Sequence, residues 1–324
     1  MNRARASALV QSRYKWVNGT VLHYYFFDRP REHGEVVRVK NQDKWYTWVG
    51  AEPQRKVVRK AFAHWKTVGV GLEFEEVDSA DEAELRIGFM EEDGSWSYLG
   101  TYNLKFGPAE RTMNFGWDIT VPGPDGFDTA LHEVGHALGM PHEHQNPFAG
   151  IVWDERAVYD AMAEPPNEWD EDTTYNNILR KIGRTQVRGS DWDPNSIMHY
   201  AFEPGLIKEP ALYHRKGLFP AGGLSRADKA WVRNFYPAIR KSDISLLEPG
   251  VSQPLAALSN GQQQNFLIKP PGTRVYEMRT FGTCDSVIVL FVRDGNSWRY
   301  QTADDDGGED RNAALKLKLF SSKE

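Results

Sequence analysis

The spacing of apolar and polar residues changes several times along the first half of the chain, and each change marks an element. Gly19 to Phe27 (G-T-V-L-H-Y-Y-F-F) is β-branched and aromatic throughout, which predicts a strand. From Glu52-Pro53 the spacing becomes helical: Val57, Val58, Ala61, Phe62 and Trp65 define one buried face to about Thr67, with Pro53 in the first turn. Leu72 to Val77 and Ala83 to Phe89 alternate as half-exposed strands do, and shorter strands are expected at Ser95 to Thr101 and Arg111 to Phe115. A Pro/Gly-rich loop, 121–126, then leads to Asp128, a predicted N-cap for a helix that runs through Leu138 until Gly139 stops it.

From Pro141 to Pro220 the chain is polar and rich in Pro, Gly, Asn and Asp, so irregular structure with short helical pieces is expected. A last helix follows from Ser225 to Phe235, with Ser225 and Asp228 as its start signal and Leu224, Ala227, Trp231 and Phe235 as its apolar stripe. Beyond Pro237 the pattern shifts again. Short strand-like runs at 264–269, 274–280, 285–292, 298–301 and 313–320 are separated by turn residues, the mark of a small all-β, sandwich-like module. The predicted layout is a disordered arm over 1–13, a main domain over 14–240, a linker over 241–253 and the β module over 254–324.

Length and composition fit this layout. A chain of 324 residues with 40% hydrophobic and 12% aromatic residues is long for one compact domain and suits one large plus one small. A formal net charge of −6 without a long Lys/Arg run argues against nucleic acid or an anionic membrane as the main partner. No apolar stretch approaches the roughly 20 residues that span a bilayer. Cys284 is the only cysteine, so no intrachain disulfide can form, and a small buried hydrophobe is its expected role. Met1 to Val10 has a basic start but a short, broken apolar patch, so no secretory signal is visible. A monomer is expected.

The chemistry concentrates in His132-Glu133-Val134-Gly135-His136-Ala137-Leu138-Gly139-Met140-Pro141-His142. Two histidines four apart on a helix project from the same face and can reach one ion. Gly139 lets the chain leave the helix in a conformation that a side chain disfavours, and the turn can return His142 as a third nitrogen ligand. Three protein ligands plus a water is the open arrangement of catalytic zinc, and Glu133 is placed to act as general base on that water.

These residues resemble the extended motif of the metzincins, and Ser196-Ile197-Met198-His199-Tyr200 is similar to the Met-containing turn of that group. Glu143, directly after the third histidine, and Tyr200, two after the methionine, resemble the astacin family in particular. Lys15 to Gly19, Ser95 to Gly100, Arg111 to Trp117 and the Ser225 to Tyr236 helix carry the similarity across roughly 14–240. The resemblance implies an α+β zincin-like catalytic domain with a mixed twisted sheet, an active-site helix and an irregular C-terminal subdomain. It also implies a zinc endopeptidase acting on protein or peptide substrates outside the cell. In that family a Tyr such as Tyr200 is a displaceable zinc ligand that then stabilises the oxyanion, Met198 packs beneath the histidines, and Glu143 meets the freed mature N-terminus.

Ser95, Trp96, Ser97 and Tyr98 are similar to the family's edge strand and are candidates for pairing with an extended substrate, an ordinary edge strand being the alternative. The chain departs from the family in lacking its two disulfides and in carrying Gln145-Asn146-Pro147 where an Arg is usual. The tail resembles bacterial pre-peptidase C-terminal domains at Phe266, Thr280 to Val287 and Asp304 to Gly308. Its acidic turn, Asp304, Asp305 and Asp306, reads either as a solvated turn or as a calcium site. A serralysin-like protease, a catalytically silent zinc protein that binds peptides, and an adhesin-like or carbohydrate-binding chain stay open as alternatives.

Overall fold

The computed structural model describes residues 14–39, 42–91, 93–165, 167–183, 192–239, 244–255, 263–295, 297–309 and 311–321. The arm expected over 1–13 lies outside them. The chain divides into two compact units, one built on Leu22–Val70 and Phe74–Pro237 together with residues 14–16, the other on Val17–Val21, Gly71–Glu73 and Ala238–Glu324.

In chain order the elements begin with strands β1 (Val21–Phe26), β2 (Gly34–Val39) and β3 (Gln42–Thr47), followed by helix α1 (Glu52–Thr67). Then come β4 (Glu73–Glu76), β5 (Leu85–Gly88), β6 (Trp96–Ser97), β7 (Met113–Asn114) and helix α2 (Thr129–Ala137). The mixed sheet has the order β4-β1-β5-β7-β6. β1, β5 and β7 run parallel, and β6 pairs antiparallel to β7 at the open edge, Trp96 opposite Asn114 and Ser97 opposite Met113. β1 is buried along its whole length, as a central strand covered on both faces must be. On one of those faces α1 lays Val58, Ala61, Phe62 and Trp65, with Phe62 stacked on Tyr24 at 4.4 Å between ring centroids.

Four local expectations change. β5 is not half-exposed, because Arg86 turns inward and donates to the carbonyl oxygens of Glu110, Ala83, Asn103 and Phe106. Those bonds fold the following loop into a 3₁₀ turn at Gly100–Lys105, so the strand expected over Ser95 to Thr101 is only Trp96–Ser97. Gly100 sits at φ +44°, and Tyr98 stacks on Phe106 at 4.1 Å, which closes the turn. The β2–β3 hairpin was not anticipated, since none of its mixed charged and aliphatic residues is buried and they leave a weak apolar signal. Asp128 precedes α2 without capping it; its carboxylate accepts the Gly223 N–H at 3.1 Å instead.

After α2 come β8 (Val152–Trp153), α3 (Glu155–Ala163), α4 (Glu171–Thr174), β9 (Ile207–Glu209), α5 (Ala211–Lys216) and α6 (Arg226–Phe235), joined by long irregular segments as expected. Ile151, Trp153, Val158, Ile178, Phe202, Ile207 and Leu218 form their core. The face α6 buries is offset from the expected stripe. Ala227 is exposed, while Asp228, Val232 and the following Tyr236 are buried. A carboxylate therefore takes a core position.

The second unit is built from two-stranded ladders. β10 (Ser245–Leu247), inside the expected linker, pairs parallel to β11 (Phe266–Ile268). β12 (Arg274–Arg279) pairs antiparallel to β15 (Ala314–Leu319), and β13 (Ile288–Asp294) to β14 (Ser297–Asp304). Leu290, Leu315 and Leu319 are its buried centre. Cys284 is exposed, not buried, because it lies in the exposed loop between β12 and β13.

Replacing Arg86 by Met should lower the unfolding free energy by about 3 kcal/mol or more, since up to four inward carbonyls lose their donor at about 1 kcal/mol each. Urea unfolding measures it, and a loss below about 1 kcal/mol would contradict this account of the loop.

Candidate metal centre

α2 carries His132, Glu133 and His136 on one side, and the way it ends brings His142 to them. The Met140 N–H bonds the Gly135 carbonyl at 3.0 Å and the Gly139 N–H bonds the His136 carbonyl at 2.7 Å. With Gly139 at φ +88°, this is a Schellman ending. Two more terminal carbonyls are capped from outside: Trp16 Nε1 donates to Ala137 O at 2.7 Å, and the Tyr236 hydroxyl to Leu138 O at 2.8 Å. In the first turn of the helix, Trp65 Nε1 donates to Leu131 O at 3.0 Å.

The three imidazoles converge, with one ring nitrogen of each within 4.8 Å of the others, and form the one cluster of three or more His, Cys, Asp or Glu able to hold a metal among the described residues. His132 Nδ1 lies 2.7 Å from Ile197 O, and His136 Nδ1 lies 2.7 Å from Met140 O. A carbonyl oxygen can only accept, so both Nδ1 atoms carry the hydrogen and both Nε2 atoms present a bare lone pair. His136 Nε2 and His142 Nε2 are 3.1 Å apart, close to the roughly 3.3 Å separating two nitrogens on one tetrahedral zinc. A bare lone pair at that distance from another nitrogen calls for a proton or a cation. Three neutral nitrogen donors in this arrangement fit zinc.

Burial holds the donors neutral. It lowers His132 to about 4, against the opposing bond to Ile197 O, and it lowers His136 and His142 well below the usual imidazole value, helped by the neighbouring imidazoles. Glu133 is buried beside them, and its Oε2 has no hydrogen-bond partner. The Tyr200 ring lies 4.3 Å from that of His142 and 5.7 Å from that of His132. Burial first, then Glu133, raises its hydroxyl above the usual phenol range. Met198 sits against α2 at Gly135, where an added Cβ would meet its sulfur at 2.5 Å.

Glu143 donates its backbone N–H to Met198 O at 2.9 Å, and its Oε1 accepts from Asn146 Nδ2 at 3.0 Å and from the Asp193 N–H at 3.1 Å. Burial outweighs those bonds and pushes its carboxyl up to about 7. Of the edge-strand candidates, Ser95 accepts from the Gly116 N–H, Trp96 and Ser97 form β6, and Tyr98 turns into the aromatic cluster of the 3₁₀ turn. The acidic turn of the second unit gathers no such cluster among the described residues: Asp304 Oδ2 accepts the Gly307 and Ala314 N–H groups at 2.8 Å each, while Asp305 and Asp306 are exposed.

Residues 44–205 match the model of the Astacin peptidase family. The chain belongs to the astacin family, a family of zinc metalloendopeptidases. Among relatives, Tolloid-like protein 1 of Homo sapiens is 27% identical over 212 residues, covering 61% of this chain and 19% of its own. Bone morphogenetic protein 1 of Xenopus laevis is 28% identical over 194 residues, covering 56% of this chain and 24% of its own. The chain thus spans about a fifth of the length of the curated relatives it matches first. The solved structure of myroilysin superposes with a TM-score of 0.59 at 31% identity, over 71% of this chain and 98% of that one. Among the described residues no helix is long and apolar enough to cross a membrane.

Sequence reasoning missed the carbonyls of Ile197 and Met140, the caps from Trp16 and Tyr236, and the burial of His144, whose ring stacks 5.2 Å from that of His142. None leaves a local mark in the sequence except the Ser225-to-Asp228 start signal of the helix that leads to Tyr236.

Burial also raises Glu133 to about 8, so the metal-free folded chain keeps a proton that the unfolded chain releases near 4.5. The unfolded state binds fewer protons between those values, and raising the pH there destabilises the metal-free fold. Glu133→Gln removes that penalty. In chelator, its melting temperature should gain on wild type as pH rises from about 4.5 to about 8 and then level off. A difference independent of pH in calorimetry would show that Glu133 does not carry the proton.

Proposed function

We propose that the chain hydrolyses internal peptide bonds of proteins, with His132, His136 and His142 holding zinc and Glu133 as general base. The observation that carries this reading is a buried carboxylate with an unpartnered oxygen, adjacent in the same helix turn to imidazoles that present bare nitrogens. Bound zinc supplies Lewis acidity, lowering the pKa of a coordinated water to about 7 and polarising a carbonyl. Glu133 takes the proton of the attacking water and passes it to the leaving amine; the nearby cation lowers its pKa from the metal-free value into a range suited to both steps.

Tyr200 would be a further holder of the zinc in this reading, and its hydroxyl would donate to the oxyanion developing on the scissile carbonyl oxygen. Its ring position against His142 supports that role. Met198 gives the site a soft apolar floor without ligating. Glu143 ties the segment after the third histidine to the Met198 turn. The free side of β6 offers backbone groups to an extended substrate, which would lie as an added strand along Trp96 and Ser97. An extracellular site of action and a monomeric state complete the proposal, with the C-terminal module aiding export or holding substrate.

Casein digestion after zinc loading tests it, beside Glu133→Ala and a chelated sample. Internal fragments should come from zinc-loaded wild type alone; equal digestion by Glu133→Ala would remove the general-base role. Tyr200→Phe should lower kcat by about a hundredfold with KM little changed, the cost of one lost oxyanion donor. Steady-state kinetics on a quenched peptide distinguish that from a binding defect, which would appear in KM.

A further inference from the structure

Asp228 is the one buried carboxylate of α6, only 3% exposed, and it makes more bonds than ending a helix requires. As the third residue of α6 it completes a capping box: its Oδ2 accepts the Ser225 N–H at 2.9 Å, and its own N–H bonds Ser225 Oγ at 2.9 Å. That alone would leave the side chain at the surface. Instead the same Oδ2 accepts the Ile197 N–H at 2.9 Å, and Oδ1 accepts the Ser196 hydroxyl at 2.6 Å. An ionised carboxylate only accepts, so the Ser196 hydrogen is aimed at Asp228 and its oxygen is free for the Met198 N–H at 3.1 Å. Three consecutive residues of the turn beneath the histidines are thereby fixed from one carboxylate.

The middle one, Ile197, has its carbonyl oxygen 2.7 Å from His132 Nδ1. We propose that Asp228 is a positioning residue of the zinc centre, holding the Ile197 peptide so that its carbonyl fixes the tautomer and orientation of His132. This rests on His132 being a zinc ligand. The partners that orient metal-bound histidines govern affinity, and losing one costs about 10–100-fold. A carboxylate suits the task because the N-terminal end of α6 partly offsets its charge and three donors converge on it.

The test is zinc affinity by chelator competition on the full chain, well below the melting temperature, with the visible spectrum of the cobalt(II)-substituted protein as a second readout. Asp228→Asn should weaken zinc binding about tenfold or more and shift the cobalt bands. Ser196→Ala should shift both in the same direction by a smaller factor. Ser225→Ala, which removes the cap but leaves the carboxylate, should lower the melting temperature and leave zinc affinity within about twofold of wild type. Folded Asp228→Asn with wild-type affinity overturns the proposal, as does a Ser225→Ala loss equal to that of Asp228→Asn. Should Asp228→Asn not fold, Ser196→Ala decides, and unchanged affinity there overturns it. A wild type that holds no zinc removes the zinc reading and this proposal with it; tight wild-type binding with unaltered variants removes this proposal alone.

Discussion

Two backbone carbonyls decide what the centre can be. A neutral imidazole can carry its hydrogen on either ring nitrogen, and hydrogen on Nε2 would close the site to a cation. Ile197 O and Met140 O each accept from an Nδ1 and leave Nε2 bare. Met140 owes its place to the Schellman ending at Gly139, and Ile197 owes its place to the turn that Asp228 secures.

This is done without covalent crosslinks, since a single cysteine cannot form one within the chain. Long side chains with one polar tip take their place. Trp16, Trp65 and Tyr236 are almost fully buried, and each carries a donor to a carbonyl of α2 or its end. Such residues contribute apolar burial and a directional bond from the same group. Arg86 acts likewise from β5, with four carbonyls as partners and, among the described residues, no carboxylate bonded to its guanidinium. Its burial shapes the loop that presents β6, so the free sheet edge depends on a charge in the core.

The environment that orders the ligands also sets the protonation of the acid. Desolvation disfavours imidazolium and carboxylate alike, so the same burial that holds the histidines neutral keeps a proton on Glu133. In the proposed reading a bound cation would lower the Glu133 pKa and leave the histidines neutral, so that loading with cation would also prepare the base.

The zinc motif was legible in the sequence because its chemistry is local: His132, Glu133 and His136 share a helix face by periodicity, and Gly139 marks the turn that returns His142. The central strand, α1 and the strand-like runs of the tail were legible for the same reason, since short-range spacing reports them. What lies between distant segments was not. Asp228 could be seen as a capping residue, but its partners stand 31 and 32 residues away, and no local pattern shows a carboxylate on an apolar face. Alternation made Arg86 an outward residue, whereas four carbonyls from separate turns made burial the better state. Periodicity determined which side chains could meet a metal; only the tertiary structure decided their tautomers, because those depend on where remote carbonyls point.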